Sequence, residues 1–203
     1  MKTNREIKPG ISNIVSGEAR KVSQEVTDMN EVIKNSIERR SIRKYKPEQI
    51  KEEELNEILE AGIYTASAGG RQPYYIVAVT DKATRDELEA LNSQIMGGAM
   101  KTPFYGAPCV LVVLYDPDLG ANGLYDGTLV LGNMMNAAHS IDVDSCWIHR
   151  AKEVFELPEG KALLKKWGLK ENLVGVGNLI LGYRDCEYPE AAPRREDIVV
   201  RVK

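Results

Sequence analysis

An α+β domain, with a mixed sheet flanked by helices, is what this sequence predicts, on three observations. Short β-branched or aromatic runs recur at 74–80, 108–116, 145–149 and 174–183. Between them lie stretches whose apolar residues return at helical spacing, and the two kinds of element are mixed along the chain. The 203 residues, 43% hydrophobic and 28% charged, suit one compact domain able to bury a substantial core.

In chain order, residues 1–28 have few large apolar residues and little periodicity, and read as an arm appended to a domain over 29–203. An amphipathic helix opens at Met29, with Val32, Ile33 and Ile37 on one side. After Pro47, the run KEEELNEILEAGIYTAS places Leu55, Ile58, Leu59 and Ile63 on one face, and its acidic first turn complements the helix dipole, so a helix is expected to end near Ala68-Gly69-Gly70. A strand, YYIVAVT, follows, and Asp81 is placed to cap a helix running through Leu88, Leu91 and Ile95. After the strand PCVLVVLYD, a helix from Asp126 to Ile141 has small or apolar residues all round, which predicts burial on nearly every side, in the core or at a subunit interface. A short strand at 145–149, a helix at 161–169 and a strand at 174–183 complete the domain, and a polar tail with Pro189 and Pro193 wraps over the surface or a partner.

Charge and composition exclude several functions. A formal charge of −3 and a pI near 5.6 leave no global field for nucleic acid or an anionic membrane, so any anion must be met by a local basic cluster. The three cysteines are widely spaced and odd in number, the start MKTNREIKPG is not signal-like, and no run approaches the roughly 18 apolar residues of a membrane span, which together predict a soluble cytoplasmic protein. Cys146 and His149 have a metal-like spacing, but the only other histidine is His139, and zinc needs about four ligands or three and a water, so no metal is expected. Gly175-Val176-Gly177 lies in an apolar strand with no helix after it, so it is no dinucleotide fingerprint, and its glycines permit close packing instead.

Four local patterns carry chemistry. Arg39-Arg40-Ser41-Ile42-Arg43 gathers three guanidiniums and a hydroxyl at a helix end. Such a cluster is commonly a solvated terminus, yet forked donors with a hydroxyl also suit a phosphate or a carbonyl-rich ring edge. Ala66 to Tyr74 is a helix end, a paired-glycine loop bearing Ser67, Arg71 and Gln72, and a proline-stiffened entry to a strand. Ser145 to Arg150 is an apolar strand with a polar exit at His149 and Arg150, and Leu181-Gly182-Tyr183 is a strand end followed by the basic pair Arg194-Arg195.

In this order, and across residues 30–200, the four patterns resemble the nitroreductase family. The family's Arg-Arg-Ser-x-Arg motif, which binds FMN, is matched by Arg39, Arg40, Ser41 and Arg43. Its Pro-Ser-x-x-Asn-x-Gln-Pro-Trp motif is matched at Ser67, Gln72 and Pro73, whereas Ala66, Gly70 and Tyr74 depart from it. Gly70 removes an asparagine that commonly contacts the flavin, and Arg71 is the candidate substitute donor. Asn133 to His139 followed by Cys146-Trp147-Ile148 is similar to the family's long apolar helix and following strand. The resemblance puts the backbone after that strand, at His149 and Arg150, near the reactive nitrogen of the flavin, and a basic residue after Leu-Gly-Tyr, Arg194 or Arg195, on the phosphate.

The resemblance therefore implies a nitroreductase-like FMN-binding fold and a homodimer with FMN at the interface. NADH or NADPH would be the donor in ping-pong hydride transfer to an electron-poor small molecule such as a nitroaromatic, a quinone or a flavin. Arg43 is the candidate for tuning the flavin, since a cation at the pyrimidine edge favours its reduced, anionic form. The alternatives are a flavin dehalogenase or dehydrogenase on the same fold, or a flavin-binding homologue without turnover. The short interval between Asp116 and Asp126 leaves little room for an inserted lid and implies an open, less selective site.

Overall fold

A computed structural model describes residues 29–203, so the arm expected over 1–28 lies outside the described residues. The chain divides into two units, Met1–Ile37 and Glu38–Lys203. In the first, the described residues belong mainly to helix α1 (Glu31–Glu38), whose Val32, Ile33 and Ile37 are exposed.

The second unit carries α2 (Glu52–Ile63), β1 (Tyr74–Val79), α3 (Lys82–Ile95), β2 (Cys109–Tyr115), α4 (Gly123–Ser140), β3 (Asp144–Ile148), α5 (Ala151–Glu156), α6 (Pro158–Lys166) and β4 (Val174–Gly182). The strands lie in the order β1-β2-β4-β3, and each neighbouring pair is antiparallel. Parallel pairing is confined to an isolated bridge between Ser41 and Ser145.

Strand alternation builds the core. In β2, Cys109, Leu111 and Val113 meet α2 and α4 through Leu55, Ile58, Leu131 and Met134, while Val110, Val112 and Leu114 turn to a second cluster with Leu88, Leu91 and Phe155 of α3 and α5. Helices therefore cover both faces, which explains why the central strands β2 and β4 read as continuous apolar runs. The glycines of β4 serve close approach, as the sequence implied. A Cβ on Gly175 would lie 2.3 Å from the Ala151 carbonyl group, and one on Gly177 would lie 2.4 Å from Nε1 of Trp147.

Asp81 caps α3, its carboxylate accepting the Thr84 N–H at 2.8 Å. Two expectations need correction. Helix α2 stops at Ile63 rather than near Gly70, because the Tyr74 hydroxyl meets the carbonyls of Ile63 and Thr65 at 3.1 and 3.0 Å and draws the chain out of the helix. Ile63, expected on the buried face, is the last residue of α2 and is exposed. Nor is α4 buried on nearly every side. Val130, Leu131, Met134 and Ala138 face the core, whereas Leu124, Tyr125 and Leu129 are exposed at 47%, 69% and 53%. One face of an apolar helix is left bare of protein.

Candidate functional site

The arginine segment is added to the sheet beside β3. The Ile42 N–H donates to the Ser145 carbonyl at 3.1 Å, and the Tyr45 hydroxyl closes the segment on the Ile42 carbonyl at 2.8 Å. Ile42 and Tyr45 are buried and act as the anchors, so Ser41 and Arg43, on either side of Ile42, are directed away from the core by strand alternation. The sequence signal was the arginines; the structural grip is the buried residues next to them, Ile42 and Tyr45.

Burial raises the Cys146 thiol above its ordinary range, while Arg43, Ser41 and Arg39 act to lower it. Among the described residues, the buried Nη1 of Arg39 meets no acceptor, and the Oγ of buried Ser145 is likewise unpartnered. Leaving buried charged donors unmet costs more than a neutral group's roughly 1–3 kcal/mol.

Arg40 behaves differently. Its Nη1 donates to the carbonyls of Glu38 and Arg39, each at 2.9 Å, so its guanidinium folds back on the segment. Its N–H donates to the Tyr188 hydroxyl at 3.0 Å, and that hydroxyl donates to the Glu38 carbonyl at 2.9 Å. The Tyr188 ring stacks on His139 at 6.0 Å between centroids, and Arg184, held to Asp144 at 3.2 Å, lies over it at 5.2 Å. These groups enclose a second, polar cavity of about 410 Å³. Burial pushes the Tyr188 hydroxyl above its ordinary value and His139 below its own.

At the end of β3 the chain opens a cavity of about 250 Å³ whose lining includes Arg43, Asn92, Tyr105, Trp147, His149 and Arg150. Three candidates from distant positions, Arg43, His149 and Arg150, thus share one space. Arg150 has φ 82°, left-handed backbone uncommon for a residue with a side chain, and its guanidinium pairs with Glu153 at 3.4 Å. Asn92, completely buried on α3, donates through Nδ2 to the His149 carbonyl at 2.9 Å.

The loop of Ser67, Arg71 and Gln72 stands elsewhere. It leads into β1, at the opposite edge of the sheet from β3, with two strands between them. At the usual spacing of about 4.8 Å per strand, the edges are roughly 14 Å apart. The loop is closed on itself: the Ser67 hydroxyl accepts the Gln72 N–H at 3.0 Å, and the buried Asp126 carboxylate accepts the Ala68 N–H at 3.1 Å. Arg71 lines a small cavity of about 60 Å³ with Gly120, Asn122 and Asp126. Gly70 has φ 67° and open space where a Cβ would be, a conformation that asparagine also tolerates. Arg194 and Arg195 stand on the exposed tail, Arg195 paired with Asp197 at 3.0 Å.

Sequence reasoning missed Asn92, Asp126, Ser145 and Tyr188. Asn92 had a usable signal, since it shares the helical face of Leu88 and Ile95, where a polar side chain is out of pattern. Tyr188 sits in an aperiodic tail and offered none. No helix among the described residues is long and apolar enough to cross a membrane.

The model of the nitroreductase family matches residues 37–101. A protein of Archaeoglobus fulgidus, provisionally named an NADH dehydrogenase/NAD(P)H nitroreductase, is 31% identical over 160 residues, covering 76% of this chain and 86% of its own. The NADPH-flavin oxidoreductase of Vibrio harveyi is 28% identical over 179 residues, covering 82% of this chain and 70% of its own. Among solved structures, a nitroreductase with bound FMN from Bacteroides fragilis superposes with a TM-score of 0.77 at 29% identity, covering 86% of this chain and 100% of the other.

Proposed function

Since this chain belongs to the nitroreductase family, we propose that it is an FMN-dependent oxidoreductase that moves hydride equivalents from NADH or NADPH to an electron-poor small molecule by a ping-pong mechanism. The observation that carries the reading is the buried, unpartnered Arg39 Nη1 beside β3, with the unmet Ser145 hydroxyl. These residues fit the cofactor: a phosphate supplies the oxygens they lack, and the adjoining cavity at Arg43, His149 and Arg150 has room for a ring edge.

Arg39, with Arg194 or Arg195, would hold the phosphate and Arg43 the pyrimidine edge, with the Ser41 hydroxyl as a further donor to the cofactor. When bound, FMN would supply the two-electron chemistry, while the chain binds, orients and excludes water. Arg43 stabilises negative charge at the ring edge, and the backbone at His149 and Arg150 offers polar groups to the reacting side. Residues 116–122 alone join β2 to α4, which favours an open site and a broad choice of acceptor, among them nitroaromatics, quinones or free flavin.

Two copies complete the site in this reading. Ser67, Arg71 and Gln72 lie across the sheet from Arg39 and Arg43 in one chain, so they serve the site of a second copy, and the bare face of Leu124, Tyr125 and Leu129 supplies apolar surface for the pairing. The placement of the protein in the cytoplasm rests on the same family reading.

The test is the visible spectrum of the purified protein before and after anaerobic addition of NADH or NADPH, with its mass in solution. A yellow dimer that bleaches is expected. A protein that stays colourless when offered FMN overturns the cofactor, and a monomer holding a full complement of FMN overturns the shared site.

A further inference from the structure

The His149–Arg150 turn is held by a side chain far from it in sequence. Asn92 is completely buried, its Nδ2 meets the His149 carbonyl at 2.9 Å, and its Oδ1 has no hydrogen-bond partner among the described residues. An amide buried with its oxygen unmet is a poor way to fill space on a face shared with Leu88 and Ile95; an apolar residue would do it at less cost. The single bond it makes is therefore the reason for its presence.

That bond falls on a peptide under strain. Arg150 adopts φ 82° immediately after β3 and immediately before α5, so the turn needs an outside hold that glycine would not require. The described chain has no cis peptide, and in a trans peptide the N–H lies opposite the C=O. A His149 carbonyl drawn toward α3 consequently turns the Arg150 N–H away from α3. Asn92, His149 and Arg150 all border the cavity that also contains Arg43.

We propose that Asn92 is a positioning residue, which fixes the His149–Arg150 peptide in its left-handed turn and so sets the direction in which the Arg150 N–H is offered to the flavin. The flavin part of this inference rests on the reading given above, whereas the grip on the turn does not.

The experiment compares Asn92→Leu with Asn92→Ser, each made in the native chain and in an Arg150→Gly background. Glycine takes the left-handed conformation freely, so it relieves the turn of its need for Asn92. In FMN-free protein, amide hydrogen exchange at Arg150 is expected to quicken by about tenfold in the native background and to change little in the glycine background. With FMN, the native-background variants should bind about tenfold more weakly, with a shifted visible flavin band. The serine variant, which cannot overpack, carries the test if the leucine variant does not fold.

Unchanged exchange overturns the grip. Faster exchange with unaltered FMN affinity and spectrum overturns the positioning role and leaves a structural one, and equal losses in both backgrounds point to packing alone and overturn it too. Failure of the parent chain, rather than the variants, to bind FMN overturns the cofactor reading and with it the flavin part.

Discussion

The two edges of the sheet are built on opposite principles. At β3 and the arginine segment beside it donors stay unmet: Arg39 Nη1 and Ser145 Oγ are buried without partners among the described residues. Before β1, the Ser67–Gln72 loop satisfies itself, with Ser67 on Gln72 and Asp126 on Ala68. Both were read from the sequence as hydrogen-bonding sites for one planar ligand, and within a chain they do not meet. The contrast teaches that a motif's polar residues can be spent on the loop that carries them. Unspent donors are the better marker of a ligand.

Removing each edge's key group should separate ligand binding from stability. The largest effect is expected from Arg39→Ala. A hydrogen bond to a charged group is worth about 1.5–3 kcal/mol, so FMN affinity measured by fluorescence quenching should fall on the order of tenfold to a hundredfold. The melting temperature of the flavin-free protein should not fall, and relief of the unmet charged donor should raise it, since this guanidinium's Nη1 has no partner among the described residues to lose. An equal affinity for FMN would break the comparison on the β3 side.

Asp126→Ala should do the reverse. It strands the Ala68 N–H and removes a buried side chain, at about 1–3 kcal/mol, which in a domain of this size lowers the melting temperature by about 2–4 °C for each kcal/mol. A calorimetric scan without flavin reads it directly. An unchanged melting temperature would mean that the β1 loop is not closed by its own bonds.

The smallest effect concerns the tail. Burial keeps His139 below its ordinary pKa of 6.5, with Arg39 acting in the same direction and Asp144, Glu38 and Asp142 opposing. The folded form then binds fewer protons than the unfolded form around that value. Stability from the Tyr188–His139 stack is present above 6.5 and is lost as pH falls through the lower, folded value. Limited proteolysis of the chain after Tyr188 should quicken modestly on acidification, and His139→Phe, which keeps a ring but cannot titrate, should flatten the response. Cleavage independent of pH in the native chain would detach the tail from the arginine segment.

Much of the fold was legible. Short β-branched or apolar runs and helical periods located the four strands and most helices of the described residues, because burial selects such residues directly in the local sequence. The errors have physical causes. The Tyr74 hydroxyl competes for the last carbonyls of α2 and ends the helix early, a contact between residues that periodicity treats separately. The short helix α5 is packed so tightly on β4 that Gly175 is required beneath it, yet its own six residues carry too little pattern to be seen.

By itself the sequence determined the α+β class, the order of the strands and of every described helix but α5, and the arginine cluster that marks the family, since each of these depends on neighbouring residues. Only the tertiary structure decided that Ser41 pairs with Ser145, that Arg43, His149 and Arg150 share one cavity, that Asn92 grips the turn between them, and that Ser67 and Arg71 stand at the far edge. Those facts follow from strand order and from contacts spanning up to 57 and 148 positions, as between Asn92 and His149 or Arg40 and Tyr188. Such pairings are selected by how whole layers pack, and no local period in the chain records them.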